Sequence, residues 1–198
     1  MSEWWTYRPS SFLMFAPRTY WRLVELYQRE VWPLQLLMLA AGVGLLWIAG
    51  SRGRSAPRLV CAVLALIWLW VGWAFHWQRY ATINWGARYF ALAFVVQAVA
   101  LLALGVLRSG RASPLARVGE YRLGLALAAG GVLAYPLLGV LAGRPWAQSD
   151  VFGLMPEPTA LATLGLLLAA GPRGRAWLSV IPLLSLALGV TTLWLISG

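Results

Sequence analysis

"LVCAVLALIWLWVGWAFHW", residues 59–77, contains no acid and no arginine, and its one histidine, His76, stands near its far end. About 20 apolar residues in a helix cross a hydrocarbon core of about 30 Å. The apolar residues run continuously and do not alternate, so the stretch reads as a helix and not a strand. Lipid admits only helices and closed barrels, because every backbone N–H and C=O must find its partner inside the chain. This stretch therefore sets the fold class, and the rest of the chain follows suit. By the same length rule, five more runs read as spans: Val31–Ala49, Trp85–Leu107, Tyr121–Ala142, Pro158–Ala170 and Ala176–Ile196. The fifth is short, and its start is expected to be an unwound or tilted piece around 152–158.

Composition agrees. The 198 residues are 61% hydrophobic and 11% charged, and the mean hydropathy is +0.71. A soluble domain carries about 25% charged residues. The expected fold is all-α: an integral membrane bundle of six transmembrane helices with an N-terminal amphipathic interfacial helix. Residues 1–30 form the interfacial segment and residues 31–198 the transmembrane domain.

All 16 basic residues are arginine, and the net charge is +10. In a soluble chain this balance suggests nucleic acid; here it reads as the positive-inside bias, and no nucleic-acid partner is expected. The turns after spans one, three and five hold Arg52, Arg54, Arg58, Arg108, Arg111, Arg117, Arg122, Arg173 and Arg175 against Glu120, a net +8. The turns after spans two and four hold Arg79, Arg88 and Arg144 against Asp150 and Glu157, a net +1. Residues 1–30 hold four arginines against Glu3, Glu25 and Glu30, again +1. Arginine-rich turns stay in the cytoplasm, which places both termini outside.

Residues 1–30 do not read as a signal peptide: acids are mixed with the arginines and no small-residue cleavage site follows. "PRTYWRLVELYQREVW" reads as a helix starting at Pro17, a residue suited to a first turn. Arg18, Arg22, Glu25 and Arg29 make one polar stripe. Tyr20, Leu23, Val24, Tyr27 and Val31 make the opposite face. Such a helix is expected to lie flat in the headgroup layer; the other reading is a cap over the outer mouth of the bundle. Glu25 and Arg29 form a favourable i,i+4 pair.

The polar hydrogen-bonding groups gather in "WAFHWQRYATINW", residues 73–85, and in "RPWAQSDVFGLMPEPT", residues 144–159. Most of the 13 tryptophans fall at the outer end too: Trp4, Trp5, Trp21, Trp32, Trp77, Trp85, Trp146 and Trp194, against Trp47 and Trp177 at the inner end. Trp70, Trp73 and Trp77 share a helical stripe. Trp68 lies about 13 Å below the outer end at 1.5 Å per residue, and its buried indole N–H needs an acceptor. The candidate ligand-binding set is His76, Trp73, Gln78, Tyr80, Asn84, Arg88, Asp150 and Glu157, forming a polar-aromatic site at the outer face. Glu157 is a candidate ion-pair partner of Arg79 or Arg88. The prolines beside it are expected to fix an extended turn before span five, with Thr159 as its cap. Gly139 and Gly143 mark a close helix approach, and Pro136 and Pro182 should kink their spans.

Read together, "MSEWWTYRPSSFLMFAPRTYWRLVELYQREVWP", "FHWQRYATIN" and "VFGLMPEPT" resemble a bacterial family of integral-membrane proteins known only as a domain of unknown function. The resemblance implies a polytopic membrane protein and supplies no catalytic residues; the expected location is the bacterial inner membrane. Relatives carry "GLPCPTT" where this chain has "GLMPEPT", and the missing cysteine weighs against a thiol or soft-metal role.

The function classes narrow by chemistry. Cys61 and His76, one of each, make no metal-ligand set, so no metal site is expected. No P-loop, paired-histidine zinc motif or dinucleotide turn occurs. No nucleophile–base pair stands in sequence, so no catalytic residue, enzyme activity or cofactor is expected. The reading taken is a solute-binding transporter or channel. The alternative is an accessory or scaffold subunit of a larger membrane complex. Expected partners are membrane lipids, with a small solute or partner membrane subunits.

Overall fold

The computed structural model describes residues 15–108 and 118–197, so Trp4, Trp5, Arg8, Arg111 and Arg117 lie outside the described residues. The regular secondary structure is all helical, with no strand among the described residues. Helix α1 spans Pro17–Glu30 and α2 Leu34–Gly50. Helix α3, Ala56–Trp70, runs on through a π-helical stretch Val71–Trp77. Helix α4, Ala87–Ala100, does the same through Leu101–Leu107. Helices α5, Val118–Ala129, and α6, Tyr135–Leu141, are joined by π-helical Gly130–Ala134. Helices α7, Pro156–Ala170, and α8, Arg175–Ser197, complete the chain.

Four helical stretches are long and apolar enough to cross a membrane: Ala56–Thr82, Ala87–Leu107, Val118–Leu141 and Arg175–Ile196. A fifth crossing is added if Pro17–Glu30 and Leu34–Gly50, bent by 85°, count as one. These features are compatible with a membrane protein. Six helical segments coincide with the six apolar runs of the sequence, but two fall below that length: α2 has 17 residues and α7 has 15.

The short one, α7, is the centre of the molecule. At 1.5 Å per residue it is about 22 Å long, and it packs against α2, α3, α5 and α8. Most of its side chains are buried, including Thr159, Thr163 and Leu166. A helix that is apolar all round belongs in such a position. Its seam with α5 is backbone against backbone. A Cβ added to Gly165 would stand 2.3 Å from the Ala128 amide nitrogen, and one added to Gly124 would stand 2.7 Å from the Gly165 carbonyl oxygen. This, and not Gly139 with Gly143, is the close approach of the bundle. Gly139 leaves room for the Arg144 guanidinium, 2.7 Å from where its Cβ would be, and Gly143 turns the chain at φ +80°.

Polar ties cross the apolar interior. Trp68 is fully buried, and its indole N–H donates to Thr163 Oγ1 at 2.9 Å, the acceptor its depth demanded. Gln97 Nε2 donates to the Leu178 carbonyl at 2.8 Å, tying α4 to α8. Pro136 follows the π-helical turn at 130–134 and begins α6, whereas Pro182 lies inside α8.

Helix α1 begins at Pro17, as its sequence implies, and Glu25 pairs with Arg29 at 2.7 Å. Its apolar face is not left for lipid. Tyr20, Val24 and Tyr27 are buried, Tyr27 meets Phe75 of the α3 extension with ring centroids 5.7 Å apart, and Tyr20 meets Tyr80 at 5.9 Å. Gln28 Nε2 donates to the Ser149 carbonyl at 2.8 Å, and Glu30 pairs with Arg79. The helix packs as a cap across one end of the bundle, because the bend before α2 turns its aromatic face onto that end.

Candidate functional site

Beneath the α1 cap lies a cavity of about 260 Å³. It is enclosed by the π-helical end of α3, the first turns of α4, the start of α7 and the middle of α8, with Tyr20 of α1 contributing from above. Three of the sequence-predicted residues line it together: His76, Tyr80 and Glu157.

His76 reaches the cavity because α3 widens as it ends. The Gln78 amide donates to the Trp73 carbonyl at 3.0 Å, five residues back. Such a turn changes which residues stack on one face. The imidazole, 5% exposed, has aromatic neighbours: Phe94 at 4.6 Å between centroids, Phe75 at 5.3 Å and Phe90 at 5.8 Å. Neither ring nitrogen has a hydrogen-bond partner. A buried polar group left unpaired costs about 1–3 kcal/mol, so this pair of orphan nitrogens calls for an explanation beyond packing.

Glu157 stands in the first turn of α7 and is 6% exposed. The prolines beside it do not hold an extended turn. Met155 is extended, and the helix starts at Pro156 with Pro158 already inside it. First-turn amides have no intrahelical acceptor, so prolines there forfeit no helical bond. Thr159 is likewise not the cap. Its hydroxyl donates to the Met155 carbonyl at 2.6 Å and accepts the Gly153 amide at 2.9 Å, fastening the preceding loop to the helix start.

Neither candidate cation reaches Glu157. Arg79 is engaged by Glu30, and the Arg88 guanidinium lies over the Trp77 ring at 5.6 Å. No ion pair to Glu157 occurs among the described residues. Asp150, also buried, is held apart by Arg144 at 3.1 Å, whose guanidinium also covers the Trp21 ring at 4.3 Å. Burial pushes the Asp150 carboxyl above its usual range, and Arg144 opposes that rise.

The remaining predicted residues divide. Asn84 supports the site from outside the lining: its Nδ2 donates to the Tyr80 hydroxyl at 3.2 Å, and its Oδ1 accepts the Gly86 amide at 2.9 Å. Trp73, Gln78 and Arg88 are exposed and line no part of the cavity. Trp73, 54% exposed, pairs instead with Trp70 at 5.7 Å on the outer surface. Trp73 and Trp77 thus belong to the surface and Trp70 is half-buried against the core, while Gly72 is buried with His76 because α4 presses there: a Cβ on Gly72 would stand 2.9 Å from Phe94 Cβ.

Sequence reasoning missed Tyr20, Phe90, Phe94, Ser185, Gly189 and Thr192, which also line the cavity. Tyr20 sat on the apolar face read for α1, so its burial was accessible; the α8 residues carried no signal. Gly189 is the one that makes space, since a Cβ there would stand 2.4 Å from Glu157 Oε1. Among the described residues no cluster of three or more His, Cys, Asp or Glu is placed to hold a metal ion. Cys61 is buried against Gly105 at the other end of α3, where burial suits a small apolar residue.

No curated protein and no solved structure matches this chain. A family model does match, over residues 18–197, and the chain belongs to that family of unknown function, DUF6064.

Proposed function

We propose that the chain is a multi-pass protein of the bacterial inner membrane, six helices with both termini on the non-cytosolic side, that takes a small solute into the cavity beneath α1. The observation that carries this reading is the juxtaposition of His76, whose ring nitrogens lack partners, with Glu157, which has no ion pair among the described residues, in one apolar cavity. Small-molecule sites combine an apolar lining with a few convergent polar groups in this way. Buried ionisable groups in membrane bundles are functional candidates by default. The arginine-rich turns at the opposite end support the orientation. The test is a thermal-shift screen of the detergent-solubilised chain against a solute library, followed by uptake of the hits into proteoliposomes. Stabilisation and uptake should fall with His76→Ala and with Glu157→Gln; hits indifferent to both changes would remove the cavity from the function.

A second reading makes the chain an accessory subunit. Helix α8 favours it: Leu183, Leu184, Leu188, Val190 and Trp194 are all exposed, the least covered of the long apolar helices. Native mass spectrometry in mild detergent separates the readings, since a partner at fixed stoichiometry supports the subunit.

A further inference from the structure

The cavity holds a buried carboxyl group that no described arginine answers, and this selects among solutes. The inference rests on the solute-binding reading above and specifies its ligand. The described arginines that stand near the cavity are already committed: Arg144 to Asp150, Arg79 to Glu30 and Arg88 to the Trp77 face. Among the described residues Glu157 is therefore left with no cation, in a lining of Tyr20, Phe75, Tyr80, Phe90 and Phe94. An isolated carboxylate in such surroundings is costly, whereas a cation entering the site would be met by the carboxylate and by ring faces together. His76 adds acceptor capacity, because a neutral imidazole carries one nitrogen lone pair and neither ring nitrogen is in use. An anion would face Glu157 directly, with Asp150 nearby, and a neutral solute would leave the carboxylate unpaired.

The route in supports the same class. Leu184 and Leu188 line the cavity and are also about half exposed on the flank of the bundle. Helices α4 and α8 are tied at Gln97 and Leu178, and beyond that tie the cavity lies between them. It therefore reaches the flank as well as the capped end, and an apolar body can follow a charged head into it. We infer that the ligand is a small organic cation, an ammonium group bearing an apolar body, held with its charge at Glu157 and His76 and its body among the aromatic rings.

Benzylammonium and its uncharged counterpart benzyl alcohol test this by isothermal titration calorimetry on the full chain in lipid nanodiscs. Benzylammonium should bind saturably and at least tenfold more tightly than the alcohol. Glu157→Gln should erase that preference by weakening benzylammonium binding at least tenfold. Ser185→Phe, which puts an aromatic ring on the lining of the cavity, should abolish both. Equal affinities in the wild-type chain, or a preference that survives Glu157→Gln, overturn the cation assignment and leave the solute-binding reading standing. No saturable binding of benzylammonium also overturns it; the solute-binding reading then stands or falls separately on the library screen. The wild-type comparison decides without any variant, so a variant that fails to fold does not blunt the test.

Discussion

Gly189 of α8 lies directly against the Glu157 carboxylate, so close that a Cβ at 189 would stand 2.4 Å from Oε1 and 2.5 Å from Cγ. The side chain that gives the cavity its carboxyl group occupies the space a side chain on the neighbouring helix would fill. Gly189→Val should therefore push Glu157 from its place. We expect a loss of stability of about 1–3 kcal/mol, typical of overpacking, measured by thermal unfolding in detergent. Wild-type stability in this variant would mean that Glu157 has free room elsewhere.

The α5–α7 seam predicts a sharp contrast between adjacent glycines. A Cβ on Gly131 would meet the Ala162 amide nitrogen at 2.6 Å, while one on Gly130 would meet nothing within 4 Å. Gly131→Ala should destabilise, because the clash is with backbone that cannot swing aside. Gly130→Ala should be neutral, or stabilising by up to about 1 kcal/mol. Comparable melting shifts for the two would contradict the seam.

Trp68 and Thr163 should be energetically coupled. Thr163→Val leaves a buried indole N–H without an acceptor, and Trp68→Phe leaves a hydroxyl without its donor. A double-mutant cycle on unfolding in detergent should return about 0.5–2 kcal/mol, the range of hydrogen bonds between membrane helices. A coupling energy of zero would show that the bond is not retained.

The buried Cys61 is the chain's single cysteine, so an introduced cysteine should be the reactive one. In intact cells Gln78→Cys should react with an impermeant maleimide, and Ser51→Cys should react only after permeabilisation. Both side chains are exposed, at opposite ends of the bundle. The reverse pattern would invert the proposed orientation.

Much of this is legible in the sequence. The run at 59–77 required a helix needing an acceptor for Trp68, and Thr163 supplies it. Pro17 and the two stripes of residues 17–31 gave α1 its start and its faces. His76, Tyr80 and Glu157 were singled out because polar groups are scarce in this chain and fall together at one end. These are local consequences of composition and helical period, which fix what each helix is and which of its faces is polar.

Periodicity says nothing about which neighbour covers a face, and there the tertiary structure decided. Helix α7 became the centre because glycine and alanine let α5 come within backbone contact of it. The π-helical end of α3 turned His76 inward while Trp73 and Gln78 faced out, and no motif announced that turn. Glu157 lost both expected arginines to Glu30 and the Trp77 ring, partners placed only when α1 folded over the bundle end and α4 packed beside α3. An ion pair or a cavity depends on distances across the fold, and a linear chain sets those only once its helices have chosen their partners.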